Sequence, residues 1–182
     1  MNRFRSILFA IVAVVGVTAV GASAQNFAPS SRAPKTIEQQ VQKKLRMLPR
    51  YDVFDNITAT VSGSTVTLNG KVRSLGTRRD AADEIKRIPG VTQVINNIEN
   101  LSPSSFDDQI RRQAYMRFIQ HGPAQYFDEL NPDVRIIVDG GHITLEGYVY
   151  RKSDADVLTI LAKGLPNVFS VTSNLIVGHR AS

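Results

Sequence analysis

Cysteine is absent from the sequence, so no disulfide, no thiolate metal ligand and no lipid on an N-terminal cysteine is available. Histidine is scarce as well: His121, His142 and His179 stand alone, with no pair at metal-ligand spacing. No glycine-rich phosphate loop opens a helix, and Ser62 and Ser64 lie in a turn with no evident base to activate them. The carboxylates fall mainly at helix caps and on polar faces, where solubility and dipole compensation account for them better than an acid/base pair does. The expectation is no catalytic residue, no metal and no cofactor.

Long apolar runs are missing everywhere except at the start. Arg3 and Arg5 precede an apolar stretch from Ile7 to Val20, and Ala22 to Ala24 reads "ASA", the small-residue pattern of signal-peptidase cleavage. A spanning helix needs roughly 20 apolar residues, and this run is shorter and leads into a polar, proline-containing segment. Residues 1–24 are therefore expected to be a signal peptide, leaving a periplasmic or secreted chain whose flexible start covers 25–35. Without disulfides, an exported chain must be held by packing alone.

Hydrophobic residues make up 42%, an ordinary share for a globular protein, and the remaining length suits one domain or two very small ones. Losing Arg3 and Arg5 takes the formal charge from +6 to +4. That charge is uneven: Ile37 to Leu101 holds ten basic and seven acidic residues, Phe106 to Gly178 seven basic and nine acidic. The high pI alone suggests nucleic acid, but the basic residues are not interleaved with stacking aromatics and the export signal removes the chain from the cytoplasm; no nucleic-acid role is expected.

What is present is a repeat. "TVTLNGKV" (Thr65 to Val72) returns as "HITLEGYV" (His142 to Val149), with Leu68 and Leu145, Gly70 and Gly147, and Val72 and Val149 each 77 residues apart. In the first copy Thr36 and Gln39 form a capping-box pattern before a helix with Ile37, Val41, Leu45 and Leu48 on one face. Ile57, Ala59 and Val61 alternate inward in a strand, a turn at Ser62 to Ser64 follows, and the repeated strand closes a hairpin. Thr77 with Asp80 is read as the start of a second helix carrying Ala81, Ala82, Ile85 and Ile88; Pro89 and Gly90 end it before a last strand. In the second copy Ser105 is read as a cap for a helix burying Phe106, Ile110 and Ala114, and Ser153 with Asp156 as the cap of the next. The expected fold is α+β: two tandem αββαβ units over 36–101 and 106–178, each a three-stranded mixed sheet with two helices on one face. A linker at 102–105 joins them, an insertion of eight residues falls within 121–133, and 179–182 is a tail. Gly70 and Gly147 lie on the inward register, where a missing Cβ permits close approach of backbone in so small a core, or a bulge.

The αββαβ order, the "VTLNGKV" and "ITLEGYV" strands, and the closing "IPGVTQVINNI" and "LPNVFSVTSNL" resemble the BON (bacterial OsmY and nodulation) domain family in its tandem, OsmY-like form. The resemblance implies an exported, non-enzymatic protein linked to osmotic or envelope stress and to phospholipid surfaces. Lys43, Lys44 and Arg46 on the first helix with Arg50 just after it, and Arg111, Arg112 and Arg117 on its counterpart, are the candidate contacts for an anionic phospholipid surface. Tyr126 and Phe127 in the insertion either join that surface or cover their own core. The competing reading is an adaptor that binds another envelope protein or a cell-wall polymer, using open sheet edges.

Overall fold

The computed structural model describes residues 36–128 and 131–178. The expected signal peptide (1–24), the segment 25–35 and the tail 179–182 lie outside the described residues, as does His179.

The first copy runs α1 (Ile37–Arg46), β1 (Asn56–Ser62), β2 (Thr65–Val72), α2 (Leu75–Lys86) and β3 (Gln93–Asn100). Its start is the capping box read from sequence: Thr36 Oγ1 accepts the Gln39 N–H, and Gln39 Oε1 accepts the Thr36 N–H, each at 3.3 Å. Val41 and Leu45 lie one turn apart and face inward, so α1 covers the sheet with a single apolar stripe. β1 pairs antiparallel with β2 through the two-residue turn Gly63-Ser64, and β2 pairs parallel with β3, giving a mixed sheet in the order β1-β2-β3. Val66, Leu68 and Val72 alternate inward from β2 and meet Ala81, Ile85 and Ile98 in one buried cluster.

The second copy repeats the order with α3 (Ser105–His121), β4 (Val134–Asp139), β5 (His142–Val149), α4 (Lys152–Lys163) and β6 (Ser170–Val177). A 3-10 turn, Ala124–Tyr126, lies in the insertion. The sheet order β4-β5-β6, with one antiparallel and one parallel pairing, matches the first. The fold is α+β as expected, and both copies belong to one compact unit.

Three caps differ from the sequence reading. α2 begins two residues before Thr77, with Ser74 Oγ accepting the Gly76 N–H, and Thr77 is buried inside the helix. α3 is capped by Ser104, whose Oγ accepts the Asp107 N–H, not by Ser105. α4 starts at Lys152 after Arg151 with no side-chain cap, so Ser153 and Asp156 lie within it. Each observed cap thus stands one to three residues before the residue read as the cap from sequence, which falls inside the first turns of the helix. Phe106 also departs from expectation: it is partly exposed and stacks on Phe169 at 6.1 Å between ring centroids instead of entering the core.

The glycines act on the neighbouring strand. Gly70 and Gly147 have φ of +131° and +119°, and a Cβ at either would lie 2.0 Å from the Asn56 or Asp133 carbonyl oxygen. Close approach is therefore correct, but it is the entry of β1 or β4 that crowds the position, with no helix atom among the nearest neighbours.

Candidate functional site

Between α1 and β1 the chain does not simply turn back. Asp52 forms a local turn, its Oδ1 accepting the Phe54 N–H at 2.8 Å, and this lays residues 52–54 along the edge of β4 in the second copy. The Val53 carbonyl accepts the Ile136 N–H at 2.8 Å, and the Asp52 carbonyl accepts Arg135 Nη1 at 2.7 Å. Arg135 is buried, with its guanidinium carbon 4.3 Å from the centroid of the Tyr51 ring. Val53 and Phe54 pack against the core of the second copy, and Phe54 meets Tyr115 edge-on at 6.2 Å.

Charge fixes the same joint. Arg73 Nη2 reaches the Asp52 carboxylate at 2.6 Å, and its guanidinium lies over Phe54. Asp55, beneath, is buried and accepts the Arg73 N–H through Oδ1 at 2.7 Å. Burial pushes its carboxyl up to about 6, against the hydrogen bond from Arg73. Lys71 Nζ spans the copies to Asp139 at 2.7 Å, and that hydrogen bond holds the ammonium above its ordinary value. None of these residues figured among the candidates read from sequence. The available signal was Asp52 and Asp55 bracketing Val53 and Phe54, an apolar pair in a stretch otherwise read as a loop.

The candidate cations of α1, with Arg50 beyond its end, divide into three environments. Lys43 is exposed, Lys44 donates to Glu84 at 2.7 Å, and the two border a groove of about 800 Å³ with Met47, Arg87, Ile88 and Pro89. Lys44 holds the Glu84 carboxyl below its usual value, with Arg87 adding to the effect. Met47 is 69% exposed at the rim, so an apolar side chain stands among three cations and one carboxylate. Arg87, at the C-terminal end of α2, belongs to this cluster and was missed because it lies 41 residues beyond Arg46 and no periodicity links the helices. Arg46 faces away, into a cleft between the copies. Arg50, at φ +65°, is exposed with Asp80 4.0 Å away.

The second copy does not reproduce this arrangement. Arg111 is buried: it pairs with Asp108 at 2.7 Å and donates to the Val138 carbonyl, so it clamps β4 to α3 and is not available to a surface. Tyr126 and Phe127 are buried too, so of the two roles read for them they take the covering of their own core and not a place in a contact surface. Phe127 stacks on Phe118, and the Tyr126 hydroxyl donates to Asp154 while accepting the Tyr150 N–H at 2.8 Å. Burial raises the Tyr126 phenol above its ordinary value, and the bond to Asp154 adds to the rise. Arg112 and Arg117 stay exposed, and Arg112, Met116 and Ile119 recur at helical spacing on the outer face of α3.

Among the described residues no group of three or more His, Asp or Glu side chains could hold a metal ion, and no helix is long and apolar enough to cross a membrane. The features on offer are a cationic groove with an exposed thioether, an apolar helix stripe and sheet edges.

A family model described as the BON domain matches twice, at residues 35–100 and 107–179. No curated protein matches the chain. Two solved structures of CdsD, a structural protein of the type III secretion system of Chlamydia trachomatis, are similar at 12% identity and a TM-score of 0.31. One covers 78% of this chain and 92% of its own; the other, its C-terminal domain, covers 77% and 96%. Likeness of that degree carries no inference about this chain.

Proposed function

The chain belongs to the BON domain family, with two copies in tandem, and from that premise we propose a non-enzymatic, exported protein that binds anionic phospholipid surfaces peripherally and serves envelope or osmotic-stress maintenance. The observation that carries the reading is the groove of the first copy, where Lys43, Lys44 and Arg87 surround exposed Met47. Cations near an anionic headgroup layer contribute about 1 kcal/mol each, and an apolar side chain between them adds contact at the acyl boundary. Three such charges with one neighbouring carboxylate give weak, salt-sensitive attachment, which suits a peripheral protein.

A second reading rests on the α3 stripe. Met116 and Ile119 are exposed beside Arg112, so attachment through the second copy would be mainly apolar. Sedimentation with vesicles separates the two: binding through the groove weakens with salt and requires anionic lipid, whereas binding through the stripe persists at high salt. Export supplies the location in this proposal; N-terminal sequencing of the mature chain is expected to begin at Gln25, and recovery of Met1 on membrane-embedded protein would contradict it.

A further inference from the structure

Among the described residues β1 has one strand partner, β2, and no strand on its other edge. The Ile57 N–H donates at 3.0 Å to the Tyr51 hydroxyl, away from β2, which sets the alternation along the strand. In an antiparallel pair every second residue turns both backbone groups to the same side, so Ala59 and Val61 also present theirs to the open edge. The counterpart of Ala59 in the second copy is Ile136, 77 residues on, and its N–H is filled by the Val53 carbonyl of the 52–54 segment. The molecule thus contains the same edge twice, once paired with an extended stretch of chain and once, among the described residues, unpaired.

The unpaired edge borders a cleft of about 400 Å³, within the size range of ligand sites. Leu45 and Ile176 give it apolar walls, and Arg46 enters it with no ion pair among the described residues. The other charged groups facing the cleft are engaged: Arg135 by the Asp52 carbonyl and Tyr51, Glu146 by the Asn174 amide at 2.8 Å.

We propose that the edge of β1 at Ala59 and Val61 is a docking site for an extended peptide segment of a partner protein, one that carries an apolar side chain next to a carboxylate. Backbone pairing supplies the affinity, as in strand addition generally, and the carboxylate meets Arg46. The segment that already fills the equivalent edge has this composition, Asp52-Val53-Phe54, and its apolar side chains sink into the core it covers. This site lies apart from the cationic groove and does not depend on lipid binding.

The test uses the isotope-labelled chain and a blocked synthetic peptide with the sequence of residues 50–56. Saturable amide shifts and slowed exchange at Ala59 and Val61 are expected. Ala59→Pro removes the outward N–H at an edge position where proline is tolerated and should weaken binding by about fivefold or more. Arg46→Glu should weaken it by about threefold. Absence of shifts at millimolar peptide, shifts confined to other surfaces, or unchanged affinity in Ala59→Pro each overturns the proposal. So does protection of Ala59 that rises with protein concentration without peptide, since the edge then belongs to a second copy. Should Ala59→Pro fail to fold, Arg46→Glu decides, and unchanged affinity there overturns it.

Discussion

After the second strand of each copy, one backbone N–H points into the protein at equivalent positions, Arg73 and Tyr150, and the two copies satisfy it with different chemistry. In the first it goes to the buried Asp55 carboxylate at 2.7 Å; in the second, to the Tyr126 hydroxyl at 2.8 Å, delivered by the insertion. The residue equivalent to Asp55 is Pro132, which cannot accept through its side chain, so the insertion replaces what the proline removed. The duplicated fold dictates that a donor exists there, and each copy has found its own acceptor. The same divergence runs through the molecule. Lys43 and Lys44 of α1 border an open groove with Arg87, while Arg111 and the insertion's aromatics are spent on holding the second copy together.

Where the copies still coincide, they should fail alike. Gly70→Val and Gly147→Val each place a Cβ against a carbonyl oxygen at a positive φ, and each should cost roughly 2–5 kcal/mol from overpacking and backbone strain. Urea denaturation of both variants checks this, and a neutral substitution at either site would break the equivalence. Where they diverge, the costs should separate. Arg135→Ala removes a buried guanidinium from the Asp52 carbonyl and the Tyr51 ring and should destabilise by about 2–3 kcal/mol. At the equivalent position of the first copy, exposed Thr58→Ala should stay within about 0.5 kcal/mol of the parent. Equal losses at the two sites would mean that the 52–54 segment contributes nothing specific.

The acceptors differ in their response to pH. Burial raises the Asp55 carboxyl to about 6 in the folded state from its ordinary 3.8, so folding favours its protonated form. That contribution is complete below the unfolded value and is lost as pH rises through the folded one, about 1 kcal/mol between roughly pH 5 and pH 7. Asp55→Asn keeps an oxygen for the Arg73 N–H and should flatten this slope in thermal melts. An unchanged slope would place the titrating group elsewhere. Tyr126→Phe, by contrast, should lower stability by roughly 1–3 kcal/mol with no new slope near neutrality, because it strands the Tyr150 N–H while the phenol itself titrates above its ordinary value.

The repeat and its αββαβ order were legible because alternation and helical periodicity are local, and the 77-residue offset aligned one copy on the other. The capping box at Thr36 was legible for the same reason, since both partners lie within three residues. Helix starts at Ser74, Ser104 and Arg151 were not, because a Ser or Thr in the first turn looks in sequence like one at the cap, and Arg151 has no side-chain cap bond at all. The burial of Arg111 and Tyr126 was hidden as well: their partners Val138, Tyr150 and Asp154 are 24 to 28 residues away, and no spacing rule connects them. The 52–54 segment was the largest omission. Its structure is set by an edge strand in the other copy, 83 residues from Asp52 to Arg135, and a stretch between a proline and a strand reads as loop whatever it touches.

The claim that the first copy carries the lipid-facing surface is tested most directly by sedimentation of three forms of the chain with anionic vesicles. These are the parent, Lys43→Gln with Lys44→Gln and Arg87→Gln, and Arg112→Gln with Met116→Ser and Ile119→Ser. Losing three cations worth about 1 kcal/mol each should lower affinity by about tenfold or more and flatten the salt dependence, while the α3 variant stays close to the parent. Normal binding by the groove variant, with binding lost in the α3 variant, would contradict the account and move the surface to the second copy.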